Sequence, residues 1–122
     1  MISAKDFVIR ENVLTKYCGN DITVVIPEGV EKIQKYAFAN CTALENVTLP
    51  ESCKTINHYA FSGCDLLTDV NFDYVTVIGT SAFSNCESLT CDDVGGANLK
   101  GVYNIGASAF YNTRLSSVVL TN

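Results

Sequence analysis

The stretch IQKYAFANCTALENVTLP, from Ile33 to Pro50, decides how this chain folds, because it recurs. An Ala-Phe pair stands at Ala37-Phe38, Ala60-Phe61, Ala82-Phe83 and Ala109-Phe110. An Ile precedes each of these Ala residues by four positions, at Ile33, Ile56, Ile78 and Ile105. Three residues after the Phe comes Cys41, then Cys64, then Cys86, with Thr113 in the last copy. Leu44, Leu67, Leu89 and Leu115 follow, the last after a one-residue deletion. Short alternating stretches come next: Val47-Thr48-Leu49, Val70-Asn71-Phe72 and Val118-Val119-Leu120, with Val24-Val25-Ile26 as an incomplete first copy.

The Ala-Phe pairs are 23, 22 and 27 residues apart. A period in the low twenties belongs to a solenoid of small units and is too short for repeats built from helix pairs. The long interval has a visible source. Residues Cys91 to Tyr103 carry Gly95-Gly96 and Gly101, so the surplus is expected to bulge as a loop.

The pattern within a unit dictates its local structure. The Val-x-Leu stretch alternates with period two, so it reads as a strand with one buried face. Pro27 and Pro50 end the first two strands, since Pro has no N–H for a ladder. In Ile-x-x-x-Ala-Phe, Ile and Ala fall on one side of a single helical turn, expected at residues 34–40. The small Ala lets the backbone approach, and Phe fills the coil. One unit cannot bury its own apolar face, so units stack and each touches only its neighbours. Matching strands then pair in parallel about 4.8 Å apart.

The run IxxxAFxxCxxLxxVxLP at Ile33–Pro50, with partial copies from Ile56, Ile78 and Ile105, resembles the BspA-like leucine-rich repeat. The resemblance covers about residues 21–122. It implies an α/β leucine-rich-repeat fold: a right-handed solenoid with a short parallel β-sheet and a short helical turn per repeat. It also implies a bacterial or protozoan surface protein that binds or adheres to proteins, with no shared catalytic residues. The expected organisation is one repeat domain over 1–122, with a cap at 1–20 and about five coils at 21–122. Location on a cell surface or in secretion follows from the resemblance alone.

Charge narrows the partners. The chain carries a net charge of −5, which argues against nucleic acid, whose binders present a basic face. Between Lys54 and Lys100 there is no Lys or Arg, while Asp65, Asp69, Asp73, Glu87, Asp92 and Asp93 all lie there. A solvated surface explains this more simply than a patch for a basic partner or a cation. No run approaches the roughly 20 apolar residues of a membrane span, so no membrane insertion is expected. Met1–Arg10 has no apolar segment of the signal-peptide kind.

The ends differ from the middle. Phe7-Val8-Ile9 and Val13-Leu14-Thr15-Lys16-Tyr17 are β-prone runs around Arg10-Glu11-Asn12, which predicts a hairpin capping the first coil. The other end stops within the stretch Val118 to Asn122. Its apolar edge is expected either to continue into further repeats or to pair with a second copy of the chain.

Chemistry-bearing residues are few. Cys41, Cys64 and Cys86 share one repeat position and should stack inside as small apolar groups with weak hydrogen bonds to loop carbonyls. Cys18, Cys53 and Cys91 lie outside that column. There is no Cys-x-x-Cys, and His58 is the only His, so no metal site is expected. A single His without an orienting carboxylate makes no triad, and Gly95-Gly96 makes no phosphate loop. No catalytic residue and no cofactor are therefore assigned.

What remains is the outer face of the sheet. One outward column reads Thr23, Asn46, Asp69, a shifted Cys91 and Ser117; the other reads Val25, Thr48, Asn71, Asp93 and Val119. Core positions repeat in chemistry and these do not, which is how a recognition surface on a repeat frame looks. The expected function is a non-catalytic module that binds a protein on this face. The alternatives are a structural spacer within a longer surface protein and a glycan-binding module.

Overall fold

The computed structural model describes residues 6–115 and 118–119. Strands β1 (Phe7–Arg10) and β2 (Val13–Tyr17) form an antiparallel hairpin. Glu11 and Asn12 turn it at φ 50° and 67°, the left-handed conformation that a two-residue hairpin loop requires. There follow β3 (Thr23–Val25), β4 (Lys32–Ile33), β5 (Asn46–Thr48), β6 (Thr55–Ile56), β7 (Asp69–Val70), β8 (Val77–Ile78), β9 (Ala97–Asn98), β10 (Asn104–Ile105) and β11 (Val118–Val119).

These strands stack as coils of a solenoid. The Val-x-Leu stretches pair in parallel as β3–β5–β7, with Val24, Val47 and Val70 in register. A second ladder runs through the Ile positions, in the order β1–β2–β4–β6–β8–β10. Leu14 of the hairpin opens its inner column, followed by Ile33, Ile56, Ile78 and Ile105. The hairpin therefore supplies the first rung of this sheet as well as covering the end of the stack.

The segment after each Ile is not helical. Ala37, Ala39 and Cys41 donate their N–H groups three residues back, to Gln34, Tyr36 and Phe38. The alternate N–H groups, of Tyr36, Phe38 and Asn40, reach forward to the carbonyls of His58, Ala60 and Ser62 in the next coil. A helix would direct every N–H four residues back along its own chain. Here every second donor goes to the neighbour, so the segment is a run of overlapping turns that forms a third inter-coil ladder. Left-handed residues recur along it. One column is Tyr36, Tyr59, Ser81 and Ser108, and the other is Asn40, Gly63, Asn85 and Asn112. Asn and Gly suit the second column because they tolerate positive φ. The expected helical turn is thus replaced by turns, with Ile33 and Ala37 still buried together.

The core lies between the three ladders. Phe38, Phe61 and Phe83 are fully buried, and their rings stack with centroids 4.8 and 5.1 Å apart. Phe110 continues the stack at 5.6 Å, and Tyr17 begins it at 4.9 Å from Phe38. Phe72 meets Phe83 edge-on, at 74°.

The long interval is resolved into a defined insertion. Asp92–Val94 make a single 3-10 turn, and the Gly96 N–H closes on the Cys91 carbonyl. Five residues, 92–96, account for the step from 22 to 27. The chain becomes a strand again at Ala97, whose register partner is Val118. The insertion leaves the Val-x-Leu face in two parts, β3–β5–β7 and β9–β11.

Candidate functional site

The register brings together part of the expected outward columns. Thr23, Asn46 and Asp69 are neighbours, as are Val25 and Thr48. Thr23, Val25 and Thr48 are exposed, and Asn46 is half-buried. Asp69 is buried at 6% exposure and accepts a hydrogen bond from the Thr68 hydroxyl at 2.9 Å. Asn71 is held in the sheet: its carboxamide donates to the Leu49 carbonyl at 3.0 Å and accepts from the Leu49 N–H at 2.7 Å. A carboxamide carries the donor and acceptor of a peptide unit, so Asn71 extends the ladder just past the end of β7.

Cys91 occupies the row of Asn46 and Asp69, with its N–H on the Thr68 carbonyl, and it is buried. Asp93 belongs to the 3-10 turn, and Asn98 takes the register position opposite Val119. The Asn98 carboxamide donates to the Asp73 carboxylate at 2.8 Å. Val119 lies in β11, and Ser117 falls outside the described residues. The misplacement of the fourth rung has one cause: the five inserted residues come before the strand, at a point that periodicity alone does not locate.

All six cysteines are free thiols. Cys64 donates to the Phe38 carbonyl and Cys86 to the Phe61 carbonyl, each at 3.1 Å, so the expected thiol column does bond to the turn backbone. Thr113, in the last copy, differs: its hydroxyl donates within its own coil, to the Phe110 carbonyl at 3.0 Å, where the two thiols reach back to the preceding coil. Burial pushes the thiols of Cys53 and Cys91 up to about 11. At Cys64 the contact with Cys41 pulls down, but contact with Cys86 and burial prevail, and its thiol rises to about 12. The Cys41 thiol is also raised, first by its contact with Cys64 and then by burial. Thiols held protonated are poor nucleophiles and poor metal ligands. Among the described residues, no group of three or more His, Cys, Asp or Glu side chains is disposed to hold a metal.

His58 is exposed, and its Nδ1 accepts the Thr80 N–H at 2.9 Å. It thereby adds a side-chain rung to the turn ladder, with its proton on Nε2. Shallow hollows mark the surface among the described residues. One, of 530 Å³, lies over the Ile-position sheet between Val13, Glu31, Lys32, Ser52, Lys54 and Thr55. Another, of 470 Å³, lies among Asp65, Leu66, Glu87, Ser88, Thr90 and Arg114. Among the described residues no helix is long and apolar enough to cross a membrane.

The turn face carries side chains that the sequence reading passed over. Tyr36 and Tyr59 are exposed at 56% and 36%, and their rings stack 5.1 Å apart and within 10° of parallel. Their signal was the residue before each Ala, which reads Tyr, Tyr, Ser, Ser along an otherwise regular frame.

Known proteins share this architecture. The sequence profile described as BspA type leucine rich repeat region matches residues 8–122 in six copies. No curated protein matches the chain. The crystal structure of the T. pallidum leucine-rich repeat protein is 28% identical, with a TM-score of 0.65, covering 96% of this chain and 70% of that one. A leucine-rich repeat protein from Bacteroides ovatus is also 28% identical, with a TM-score of 0.73, covering 88% of this chain and 28% of that one. A leucine rich cell surface protein from Faecalibacterium prausnitzii A2-165 is likewise 28% identical, with a TM-score of 0.69, covering 90% of this chain and 35% of that one. The chain thus spans about a third of the length of these last two proteins. A repeat frame matched from residue 8 to residue 122, on a solenoid of stacked coils, means that this chain belongs to the BspA type leucine-rich-repeat family.

Proposed function

We propose that the chain is a non-catalytic binding and adhesion module that meets a protein partner on the outer face of the β3–β5–β7 sheet. One observation carries this reading. The inner residues Val24, Val47 and Val70 repeat and are buried, while the outer columns change from coil to coil, Thr23 to Asn46 and Val25 to Thr48. Val25 is 56% exposed on this face. An exposed branched apolar residue among hydroxyls and an amide is the make-up of a small contact patch with a polar rim. The proposed contact is centred on Thr23, Val25, Asn46 and Thr48, because Asp69 is buried at 6% exposure and the Asn71 carboxamide is bonded to Leu49. A cell-surface location fits the description of the F. prausnitzii protein.

The test is binding of the immobilised chain to a panel of purified surface and matrix proteins, with Val25→Lys and Thr48→Glu in parallel. A partner lost in both variants at unchanged melting temperature is the expected result. A partner that ignores both variants removes this face from the proposal. A second reading, spacer repeats in a longer protein, is favoured by the short span relative to two of the solved structures. It predicts no partner anywhere on the panel.

A further inference from the structure

We propose that the uncovered end of the stack is an interface for a second copy of this chain: β10 pairs antiparallel with β10 of the copy, Ile105 faces Ile105, and assembly stops at two. Exposure locates the surface. Ile33, Ile56 and Ile78 are buried, each with a further coil stacked on it, whereas Ile105 is 46% exposed. Tyr103 and Tyr111 of the same coil are exposed as well, and Phe110, the last ring of the Phe stack, is only partly buried.

The backbone of this end is open too. The Gly106 N–H bonds to the Ile78 carbonyl at 2.8 Å, with Ile105 in register opposite Ile78. In a parallel ladder of that phase, the N–H and the carbonyl of Ile105 both point away from β8. Antiparallel pairing lets two such residues exchange both of their N–H···O bonds when they stand directly opposite each other. Ile105 opposite Ile105 is that arrangement, and a two-fold axis between the strands generates it. On the turn ladder, Ser81, Phe83 and Asn85 donate forward to Ala107, Ala109 and Tyr111. The matching N–H groups of Ser108, Phe110 and Asn112 meet no further coil among the described residues.

Charge favours a copy of the chain as the occupant. Residues 101–113 contain no Asp, Glu, Lys or Arg. A two-fold contact sets one patch against itself, so any charge on the patch meets its like. An uncharged coil end lets two chains of net charge −5 meet without that repulsion, and it offers a charged partner nothing to pair with. The opposite end explains why growth stops. Strand β1 is the other outer strand of the same sheet, and it carries Arg10 and shifts register between Val8 and Ile9. A charge and a bulge are devices that keep a strand edge from being extended. Phe7, Leu14 and Tyr17 of the hairpin are buried, so the core is closed there. Head-to-tail growth therefore has no second surface to use.

One coil end is smaller than a standard protein interface, so the dimer belongs to the micromolar range, about 1 to 100 μM. Sedimentation velocity of the whole chain across that range is expected to show monomer and dimer and nothing larger. Hydrogen exchange of the unaltered chain reads the strand pairing: the Ile105 amide should exchange about tenfold more slowly, or slower still, at the high end than at the low end. Ile105→Glu and Ile105→Lys each set like charges across the two-fold and should each weaken the dimer by about a hundredfold or more. An equimolar mixture of the two sets opposite charges there and should recover a dimer containing one of each, which a head-to-tail contact would not do. The proposal is overturned if the chain stays monomeric throughout, if species larger than a dimer accumulate, if the Ile105 amide exchanges at one rate at every concentration, or if either charged variant dimerises alone. It is equally overturned if the mixture stays monomeric while both variants keep the wild-type melting temperature.

Discussion

Phe61 lies between Phe38 and Phe83, fully buried, with ring centroids 4.8 and 5.1 Å to either side. Phe61→Ala removes the ring from the centre of the stack and is expected to cost roughly 3–5 kcal/mol of folding stability. Phe110→Ala should cost clearly less, since Phe110 is only partly buried. Urea unfolding of both variants checks this, and equal losses would contradict a core organised around the Phe column. The buried thiols make a prediction about pH. Cys53, Cys64 and Cys91 rise from an ordinary value near 9 to about 11, 12 and 11. The folded chain keeps these protons where the unfolded chain loses them. Stability is therefore full below about pH 9 and falls as pH climbs through 11 and 12, by up to about tenfold in the folding constant per pH unit for each thiol. Tyr17, raised to about 12 first by burial and then by its bond to Asp21, extends the fall. Urea midpoints should hold between pH 8 and about 9 and decline from there to pH 11; a profile flat to pH 11 would show that the thiols are not buried as described.

At the scale of elements, the question is how strands only two or three residues long hold a sheet. Each coil gives such a strand to two ladders, and the turns supply a third. Side chains then act as further rungs: Asn71 on Leu49, His58 on Thr80 and Thr68 on Glu45. Asn71→Ala leaves both the N–H and the carbonyl of Leu49 without their partner and should cost roughly 1–3 kcal/mol. Asn71→Asp keeps an acceptor for the N–H but sets a carboxylate against the carbonyl, so it should be no better. Thermal melts of the two variants check the point, and a wild-type melting temperature for Asn71→Asp would show that the amide donor is dispensable. The turn segment shows where sequence reading stops. Ile and Ala four residues apart satisfy a helical turn and a run of overlapping turns equally, since both bury the pair. The recurring Asn, Gly, Asn, Asn at positions 40, 63, 85 and 112 was the available signal for left-handed turns.

The whole molecule is a one-dimensional stack, and its last coil shows what each earlier coil gains from its neighbour. Ile33, Ile56 and Ile78 are at most 1% exposed, whereas Ile105, the next in that column, is 46% exposed. Tyr103 and Tyr111 on the same coil are 78% and 64% exposed. Strand β10 is the outer strand of its ladder among the described residues. An apolar strand edge of this kind recruits another strand. This 122-residue chain is accordingly expected to self-associate as its concentration rises, and Ile105→Glu to suppress it. Sedimentation velocity across a hundredfold concentration range, about 1 to 100 μM, decides the matter. A single monomer boundary throughout would rule out pairing at this edge.

The solenoid, the hairpin, the Phe and Cys columns and the presence of surplus residues in the 27-residue interval are legible in the order of residues along the chain. Each of these is a matter of period, and period is a property of order along the chain. The family follows from the same repeats. Which outward side chains reach solvent depends on how the coils pack against one another. Asp69 and Asn71 read like their neighbours in the sequence, yet one is buried and the other serves as a rung on Leu49 of the preceding coil. The solenoid was legible because burial repeats; its surfaces were not, because exposure depends on what the next coil covers.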